Sequence, residues 1–179
     1  MQGTEQLIEE AKRMAIRAHS LQTYAGGPYD KHPQDVVNIL IEKGYTDYYY
    51  IISAWLHDTI EDTYITYGKI KQKFGEKIAE IVWCVTDEGK NRKEKHKKTP
   101  PKTRSNEDAI VVKLADRVAN MRASIKHNNL DKLGMYLVEY KKFRENLHIK
   151  GHVLNMWSEL DELYRDKDII IKTILKNKK

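Results

Sequence analysis

Apolar residues recur at helical spacing along most of the chain, and no segment sustains the strict alternation of a half-buried strand. In the first segment Leu7, Ala11, Met14 and Ala18 share one face, which predicts a helix over residues 4–19. The same pattern, bounded by capping and helix-breaking residues, predicts further helices over residues 33–43, 47–56, 67–74, 76–85, 105–126, 130–147 and 152–164. A short strand is an alternative for the third segment, 47–56, because it is rich in β-branched and aromatic residues.

Two segments between these helices contain strong helix breakers. A glycine-glycine-proline run predicts a loop over residues 20–31. Two adjacent prolines predict a loop rather than a continuous helix over residues 90–104. Directly after this segment, Ser105 followed by Asp108 resembles a capping box and marks the start of the next helix.

The composition is that of one globular domain. The chain has 179 residues, of which 40% are hydrophobic and 32% charged, with both signs of charge present. Cys84 is the only cysteine, so the chain alone cannot form a disulfide or a cysteine-based zinc or iron–sulfur site. We expect a single domain over residues 1–165, a basic C-terminal tail over residues 166–179, no membrane-spanning segment, and a cytoplasmic location.

The positive charge of the chain is concentrated in one segment. The 32 Lys and Arg residues against 26 Asp and Glu residues give a formal net charge of +6. The segment 90–104 contains eight basic residues, with Glu94 as its one acidic residue. Such a segment is either a solvated surface or a cationic rim beside a site for a phosphate-rich ligand or a nucleic acid.

Four residues are candidates for binding a metal ion: His32, His57, Asp58 and Asp116. His57 and Asp58 directly follow an apolar run, and Asp116 lies in an apolar helix, so burial of these polar groups requires partners or a ligand. Each residue also has a structural explanation when it is taken singly. His32 can begin a helix, Asp58 can cap one, and Asp116 can pair with a neighbouring basic residue.

The segment after Asp58 adds two further carboxylates, Glu61 and Asp62. If this segment is helical, Glu61 shares a face with His57, and Asp62 shares a face with Asp58. Carboxylates this close repel one another unless a cation lies among them. A mixed set of His and Asp suits Mn²⁺ or another divalent metal better than an ion that prefers thiolates. Glu61 and Asp62 are then available to orient or deprotonate an attacking water.

These residues occur in motifs that resemble a known family. The motifs are, in chain order, PY at 28–29, HP at 32–33, HDTIEDT at 57–63, FG at 74–75, VTD at 85–87 and KLADRVANMR at 113–122. Together they resemble the hydrolase domain of the RelA/SpoT type, within the HD superfamily. The resemblance extends over roughly residues 5–147.

The resemblance implies an all-α, single-domain helical bundle of the HD superfamily, and it implies an activity. Members of the family hydrolyse the 3′-pyrophosphate of the nucleotides ppGpp and pppGpp with Mn²⁺, which gives GDP or GTP and pyrophosphate. By the same resemblance, the metal ligands are His32, His57, Asp58 and Asp116, and the pair that activates the attacking water is Glu61 and Asp62. Substrate contacts are implied for Arg92, Asn120 and Tyr140.

The chain departs from the family pattern at two positions. Tyr24 stands where family members commonly have an arginine that packs on the nucleotide base. Ala119 stands where long members usually have a histidine. Because an aromatic ring can also stack on a purine, we expect Tyr24 to contact the substrate, and the choice between guanine and adenine is open.

Other functions are consistent with the same residues. The substrate could be another phosphorylated nucleotide, such as the adenine analogue ppApp, or NADPH, which would lose its 2′-phosphate. A further alternative is a non-catalytic RNA- or nucleotide-binding protein that uses the basic segment and the 11 tyrosines. Tyrosines at helical spacing more often pack within a fold, so we expect a small-molecule nucleotide rather than a nucleic acid as partner. The oligomeric state is open.

Overall fold

Helices account for most of the structure, a computed structural model that describes residues 2–24 and 26–177. They are α1 (Gln2–Ala18), α2 (Lys31–Glu42), α3 (Tyr48–Leu56), α4 (Thr59–Asp62), α5 (Tyr67–Phe74), α6 (Glu76–Val85), α7 (Arg92–Arg104), α8 (Glu107–Lys126), α9 (Leu130–Leu147), α10 (Leu154–Arg165) and α11 (Lys167–Asn177). A small antiparallel hairpin, β1 (Thr23–Tyr24) and β2 (Gly27–Pro28), lies between α1 and α2. The structure therefore confirms the all-α prediction.

Helix α3 lies at the centre of the hydrophobic core. It is apolar along its length, and Ile52, Ala54 and Leu56 are completely buried. It packs against α1, α2, α6 and α8, and a helix surrounded in this way has no polar face to present. Burial among helices overrides the strand preference of its β-branched and aromatic residues, so the alternative of a strand is wrong.

Helix α8 is the second buried helix and packs against α2, α3, α6, α7, α9 and α10. Its residues Ile110, Leu114 and Val118 have no exposed surface. Because α2, α3 and α8 share one close-packed core, polar residues at their ends and along their edges are held in fixed relative positions.

Three of the predicted helices, α5, α6 and α9, have the predicted bounds. Helix α5 is capped by Thr66, whose hydroxyl oxygen accepts a hydrogen bond from the backbone N–H of Lys69 (3.3 Å). The helix ends at Gly75, whose φ of 90° is unfavourable for other residues. Local sequence signals are therefore sufficient for these elements. The short helix α4 was not predicted as a separate element.

The basic segment is helical, so the prediction of a loop over residues 90–104 is wrong. The Asn91 side chain accepts a hydrogen bond from a backbone N–H of the first turn (3.0 Å), and α7 then continues through its two prolines. Thr103 is buried and donates from its hydroxyl to a backbone carbonyl of α6 (2.7 Å). Contacts with neighbouring helices compensate for the backbone hydrogen bonds that proline cannot donate.

Two further expectations are corrected. The side chain of Asn106 accepts a hydrogen bond from the backbone N–H of Ala109 (3.1 Å), so Asn106 rather than Ser105 caps α8. The C-terminal segment, expected to be a basic tail, is helical over Lys167–Asn177 and buries Ile174. The last two lysines of that segment lie outside the described residues.

Within the described part of the chain, no helix combines the length and the apolar character that crossing a bilayer requires. The longest of them, α8, has 20 residues and carries charged side chains along its length.

Candidate active site

Two histidines and two aspartates converge where α2, α3 and α8 meet. His32 is the second residue of α2, His57 and Asp58 form the turn between α3 and α4, and Asp116 lies in the middle of α8. Both imidazoles are almost completely buried, each with 3% of its surface exposed. The packing of three core helices therefore brings together polar residues that are distant in sequence.

Each of these four side chains contributes one potential ligand atom to a common cluster. His32 Nε2 lies 3.2 Å from His57 Nε2 and 3.2 Å from Asp116 Oδ1. His57 Nε2 lies 3.1 Å from Asp58 Oδ2. Two atoms bound at ~2.1 Å to one ion and at right angles are ~3 Å apart, so this spacing fits ligands of a single metal ion. His32, His57 and Asp58 form one compact group of potential ligand atoms, and Asp116 adjoins this group through His32. Two imidazole nitrogens with carboxylate oxygens suit a divalent transition metal.

A backbone hydrogen bond fixes the orientation of the His57 ring. Nδ1 lies 2.7 Å from the carbonyl oxygen of Ala54, which can only accept, so Nδ1 carries a proton and Nε2 faces the cluster. Burial opposes a charge on this ring, but the carboxylates of Asp58 and Asp116 outweigh burial and raise the pKa of His57 to about 9. The cluster thus attracts positive charge, and a metal ion would replace the proton.

The two aspartates are held in the ionised form. Burial alone would raise the pKa of Asp58, but the imidazoles of His57 and His32 outweigh burial and lower it. The pKa of Asp116 is lowered against burial by the same two rings. The hydroxyl of Tyr29 also donates a hydrogen bond to Asp58 Oδ2. Ionised carboxylates are the form that binds a metal ion.

A chain of hydrogen bonds supports the cluster from the hairpin side. Asn120, one turn after Asp116 on α8, donates from Nδ2 to Asp116 Oδ1 (2.5 Å). The hydroxyl of Tyr24 donates to Asn120 Oδ1 (3.1 Å), and this orients the amide. The ring of Tyr24 also stacks on His32, with centroids 4.6 Å apart. Tyr24 therefore packs directly against one candidate metal ligand, His32.

Glu61 and Asp62, at the end of α4, differ in their surroundings. Both oxygens of Glu61 are engaged, one by Lys95 Nζ (2.5 Å) and the other by the backbone N–H of Asp87 (2.9 Å). Burial, followed by the charges of Asp58 and Glu61, raises the pKa of Asp62. Asp62 is therefore a stronger base than an ordinary aspartate.

The cluster opens into a cavity of about 510 Å³, a size that suits a small-molecule ligand. The rest of the wall comes from the hairpin and from α7, α8 and α9. Its charged lining comprises six acidic residues, Asp58, Glu61, Asp62, Asp87, Asp116 and Glu139, and six Lys or Arg residues, Arg92, Lys95, Lys113, Arg117, Lys132 and Lys142. The cavity thus combines candidate metal ligands with groups that can neutralise a polyanion.

One part of this lining, here called the cationic wall, consists of Arg92, His96 and Arg117 around Glu139. Arg92 Nε donates to Glu139 Oε1 (2.5 Å), and His96 Nε2 lies 3.2 Å from the same oxygen. Arg117 Nη1 lies 3.5 Å from Glu139 Oε2. The Arg117 guanidinium also lies over the ring of Tyr136, 4.6 Å from its centroid. The wall therefore joins α7, α8 and α9.

Most of the predicted site residues line this cavity. They are Tyr24, His32, Asp58, Glu61, Asp62, Arg92, Asp116 and Asn120. His57 lies behind the cavity surface, with Nε2 in the ligand cluster.

Tyr140 does not line the cavity, and its predicted contact with the substrate is corrected. Its side chain is buried, its hydroxyl donates to Asp161, and its ring stacks on Tyr164 with centroids 4.7 Å apart. Tyr136, one helical turn earlier on α9, lines the cavity instead.

The sequence reasoning missed Lys113, Arg117, Tyr136 and Glu139 as site residues. Arg117 could have been found, because it directly follows Asp116 in the motif. Glu139 has no signal in the sequence, since its position in the site depends on how α9 packs against α7.

Comparison with known proteins identifies the family of the chain. A family model described as an HD domain matches residues 11–134, and the chain belongs to the HD-domain family. The chain is 35% identical over 167 residues to a guanosine-3′,5′-bis(diphosphate) 3′-pyrophosphohydrolase of Aquifex aeolicus. It is 37% identical over 123 residues to human MESH1, which carries the same enzyme name. Its fold matches, with a TM-score of 0.79 at 27% identity, that of a metazoan orthologue of SpoT described as hydrolysing ppGpp and playing a role in starvation responses.

These matches differ in how much of each relative they cover. The Aquifex alignment covers 87% of this chain and 23% of the relative, so the chain spans about a quarter of that bacterial protein. The human alignment covers 65% of this chain and 68% of MESH1. The structural match covers 90% of this chain and 95% of the other.

Proposed function

We propose that the chain is a metal-dependent hydrolase that removes the 3′-pyrophosphate of (p)ppGpp, with Mn²⁺ as the metal. Water adds to the phosphorus bonded to the ribose 3′-oxygen, that P–O bond breaks, and the 3′-oxygen takes up a proton. The products are GDP or GTP and pyrophosphate. The observation that carries the proposal is the cluster of four ligand atoms at one end of a cavity with basic groups along its walls.

The metal would be held by His32, His57, Asp58 and Asp116, whose nitrogen and oxygen atoms suit Mn²⁺. When bound, the ion supplies a Lewis acid that polarises a phosphate oxygen and makes water more acidic. The protein contributes fixed ligand positions. Asn120 holds the carboxylate of Asp116 in place by its hydrogen bond.

We assign Asp62 the role of taking the proton from the attacking water. Its carboxylate lines the cavity, and its raised pKa makes it a better base. Glu61 is less suited, because Lys95 and the backbone N–H of Asp87 already occupy its two oxygens. Glu61 instead positions the Lys95 ammonium beside the cavity, where it can bind a phosphate oxygen.

The contacts of α7 support a small polyanion rather than a nucleic acid as the ligand. Arg92 and Lys95 line the cavity. Lys102 lies over the ring of Trp83, 4.1 Å from its centroid. Arg104 donates hydrogen bonds to two backbone carbonyls at the end of α9 (3.2 and 2.9 Å). These basic residues fix α7 or face the cavity, which leaves fewer of them for an open nucleic-acid surface.

The test is turnover of ppGpp by the purified chain with and without Mn²⁺, with GDP and pyrophosphate measured separately. We expect equal amounts of both products, formed only with the metal, and none from the Asp58→Ala variant. Asp168→Ala, an exposed position on α11 outside the cavity lining, is the matched control and should retain full activity. Full activity of a folded Asp58→Ala protein would contradict the proposal.

The same assay separates the alternative substrates by their products. Hydrolysis of ppApp releases pyrophosphate, whereas loss of the 2′-phosphate from NADPH releases orthophosphate. We expect ppGpp to be the best substrate of the three. Orthophosphate from NADPH, with no product from ppGpp, would overturn the assignment of the substrate.

A further inference from the structure

We propose that Arg92, His96 and Arg117 form a second phosphate-binding subsite, which takes the 5′-phosphate groups of the nucleotide, and that Glu139 is the counter-ion that limits the charge this subsite accepts. The inference rests on the proposed function and extends it, because ppGpp and pppGpp differ in the number of their 5′-phosphates.

Glu139 does not satisfy every hydrogen-bond donor of the cationic wall. Arg117 Nη1 and Glu139 Oε2 are both buried, and neither has a hydrogen-bond partner among the described residues, although 3.5 Å separates them. A buried charged atom without a hydrogen bond is unfavourable. A phosphate oxygen bound at the wall would supply the acceptor that Arg117 lacks. Guanidinium groups are well suited to this because their fork of donors matches phosphate oxygens.

The wall is distinct from the end of the cavity that contains the candidate metal ligands. The metal end has basic groups of its own, Lys95 and Lys113, which hydrogen bonds to protein oxygens hold in place (2.5 and 3.0 Å). Tyr136 connects the two regions, because it lines the same cavity as Asp116 and packs under the Arg117 guanidinium. A nucleotide with its 3′-diphosphate near Asp116 can therefore pass this ring and present its 5′-phosphates to the wall.

The charge of Glu139 affects how strongly the wall distinguishes ligands of different negative charge. Two guanidinium groups face one carboxylate, and His96 adds a charge when it is protonated. A phosphate group must compete with Glu139 for these donors and is repelled by it. The repulsion increases with the negative charge of the ligand, so Glu139 reduces the advantage that the two guanidinium groups give a 5′-triphosphate over a 5′-diphosphate.

The first experiment compares kcat/KM for ppGpp and pppGpp in the wild type and in Glu139→Gln. Glutamine keeps the size of the side chain and removes its charge. We expect the ratio of kcat/KM for pppGpp to that for ppGpp to rise about fivefold. An equal change for both substrates would overturn the proposal, because Glu139 would then only hold the helices together.

The matched controls are two substitutions on α7. Arg92→Gln removes a guanidinium of the wall and should weaken pppGpp more than ppGpp. Lys97→Gln removes the same charge from an exposed position that does not line the cavity, and it should leave the ratio unchanged. A change in the ratio of the same size in both variants would contradict a local subsite, because only the overall charge of α7 would then matter.

A binding experiment tests the subsite without hydrolysis. GDP and GTP lack the 3′-diphosphate, and their affinities for the metal-loaded protein can be measured by calorimetry. We expect Glu139→Gln to raise the affinity for GTP relative to GDP, and Arg92→Gln to lower it. If ppGpp is hydrolysed but neither variant changes this ratio, the subsite is wrong while the proposed function stands. If ppGpp is not hydrolysed, this experiment still decides whether the wall binds 5′-phosphates.

Discussion

The two ends of the cavity are held together by different interactions. At the metal end, His32, His57 and Asp116 project from helices that pack through a completely buried core. At the cationic wall, Arg92 and Glu139 join α7 to α9 by an ion pair, and the Arg92 side chain is 54% exposed. Close packing allows little displacement, whereas partly exposed ion pairs contribute little free energy and rearrange readily. The metal end is therefore suited to fixed chemistry and the wall to adjustable ligand preference.

The largest effect is expected from a substitution at the metal end. Asp116→Asn keeps the shape of the side chain but removes the charge that a metal ion requires. Loss of an outer partner of a metal ligand typically costs 10–100-fold, so loss of the ligand itself should lower kcat by more than about 100-fold. Hydrolysis of ppGpp and electron paramagnetic resonance of bound Mn²⁺ measure the two consequences. Wild-type Mn²⁺ binding by this variant would contradict the ligand assignment.

A smaller effect is expected from the hydrogen bonds behind the metal end. Tyr24→Phe keeps the ring stacked on His32 but removes the hydroxyl that orients Asn120. We expect the affinity for Mn²⁺ to fall about tenfold, with a smaller change in the KM for ppGpp. Calorimetric titration with Mn²⁺ measures the first quantity. Unchanged metal affinity with a raised KM would show that Tyr24 serves the nucleotide instead.

The smallest effect on activity is expected from a network of ion pairs that lies at neither end of the cavity. Arg122 donates hydrogen bonds to Glu42 (2.7 and 2.9 Å) and to Glu159 (2.6 and 2.8 Å), and so links α8 to α2 and α10. Arg122→Gln should lower the free energy of unfolding by about 1–3 kcal/mol and leave kcat and KM unchanged. Thermal unfolding measures the first change. A loss of kcat without a lower Tm would contradict this separation of the regions.

The same network gives stability a pH dependence of defined sign. Hydrogen bonds from Arg122 lower the pKa of Glu42 from 4.5 to about 2, and Arg122 with Lys43 lowers the pKa of Glu159 against the opposing effect of burial. A carboxylate with a lowered pKa stabilises the fold above its unfolded pKa and loses this contribution as the pH falls. The difference in Tm between wild type and Arg122→Gln should thus shrink between roughly pH 5 and pH 2. A constant difference over that range would contradict the role of these carboxylates.

The sequence indicated the residues of the metal end, but of the cationic wall it indicated only the basic segment and Arg92. The candidate metal ligands lie in short motifs within or beside strongly apolar helices. These motifs and the family resemblance marked them as candidates, and the structure brings their side chains together. Helix α7 was predicted as a loop because of its two prolines. Its helical form depends on the burial of Thr99 and Thr103 and on ion pairs to other elements, which are tertiary contacts. No local pattern in the sequence contains that information.

The position of Tyr140 shows a second limit of the sequence. The last motif ends at residue 122, and the chain then turns through Asn128, whose φ is 52°, before α9 begins. A small change in the length of such a turn rotates the following helix. The predicted contact at Tyr140 and the cavity-lining residue Tyr136 lie one helical turn apart on α9.

The contacts of helix α7 make the cavity sensitive to ionic strength. Its two prolines donate no backbone hydrogen bonds, and Thr99 and Thr103 are its buried residues. Ion pairs of Lys95 and Arg92 are among its connections to α4 and α9. Dissolved ions screen such attractions, with a Debye length of about 8 Å at physiological ionic strength. Added salt should therefore loosen the rim of the cavity while the helices that carry the candidate metal ligands stay packed.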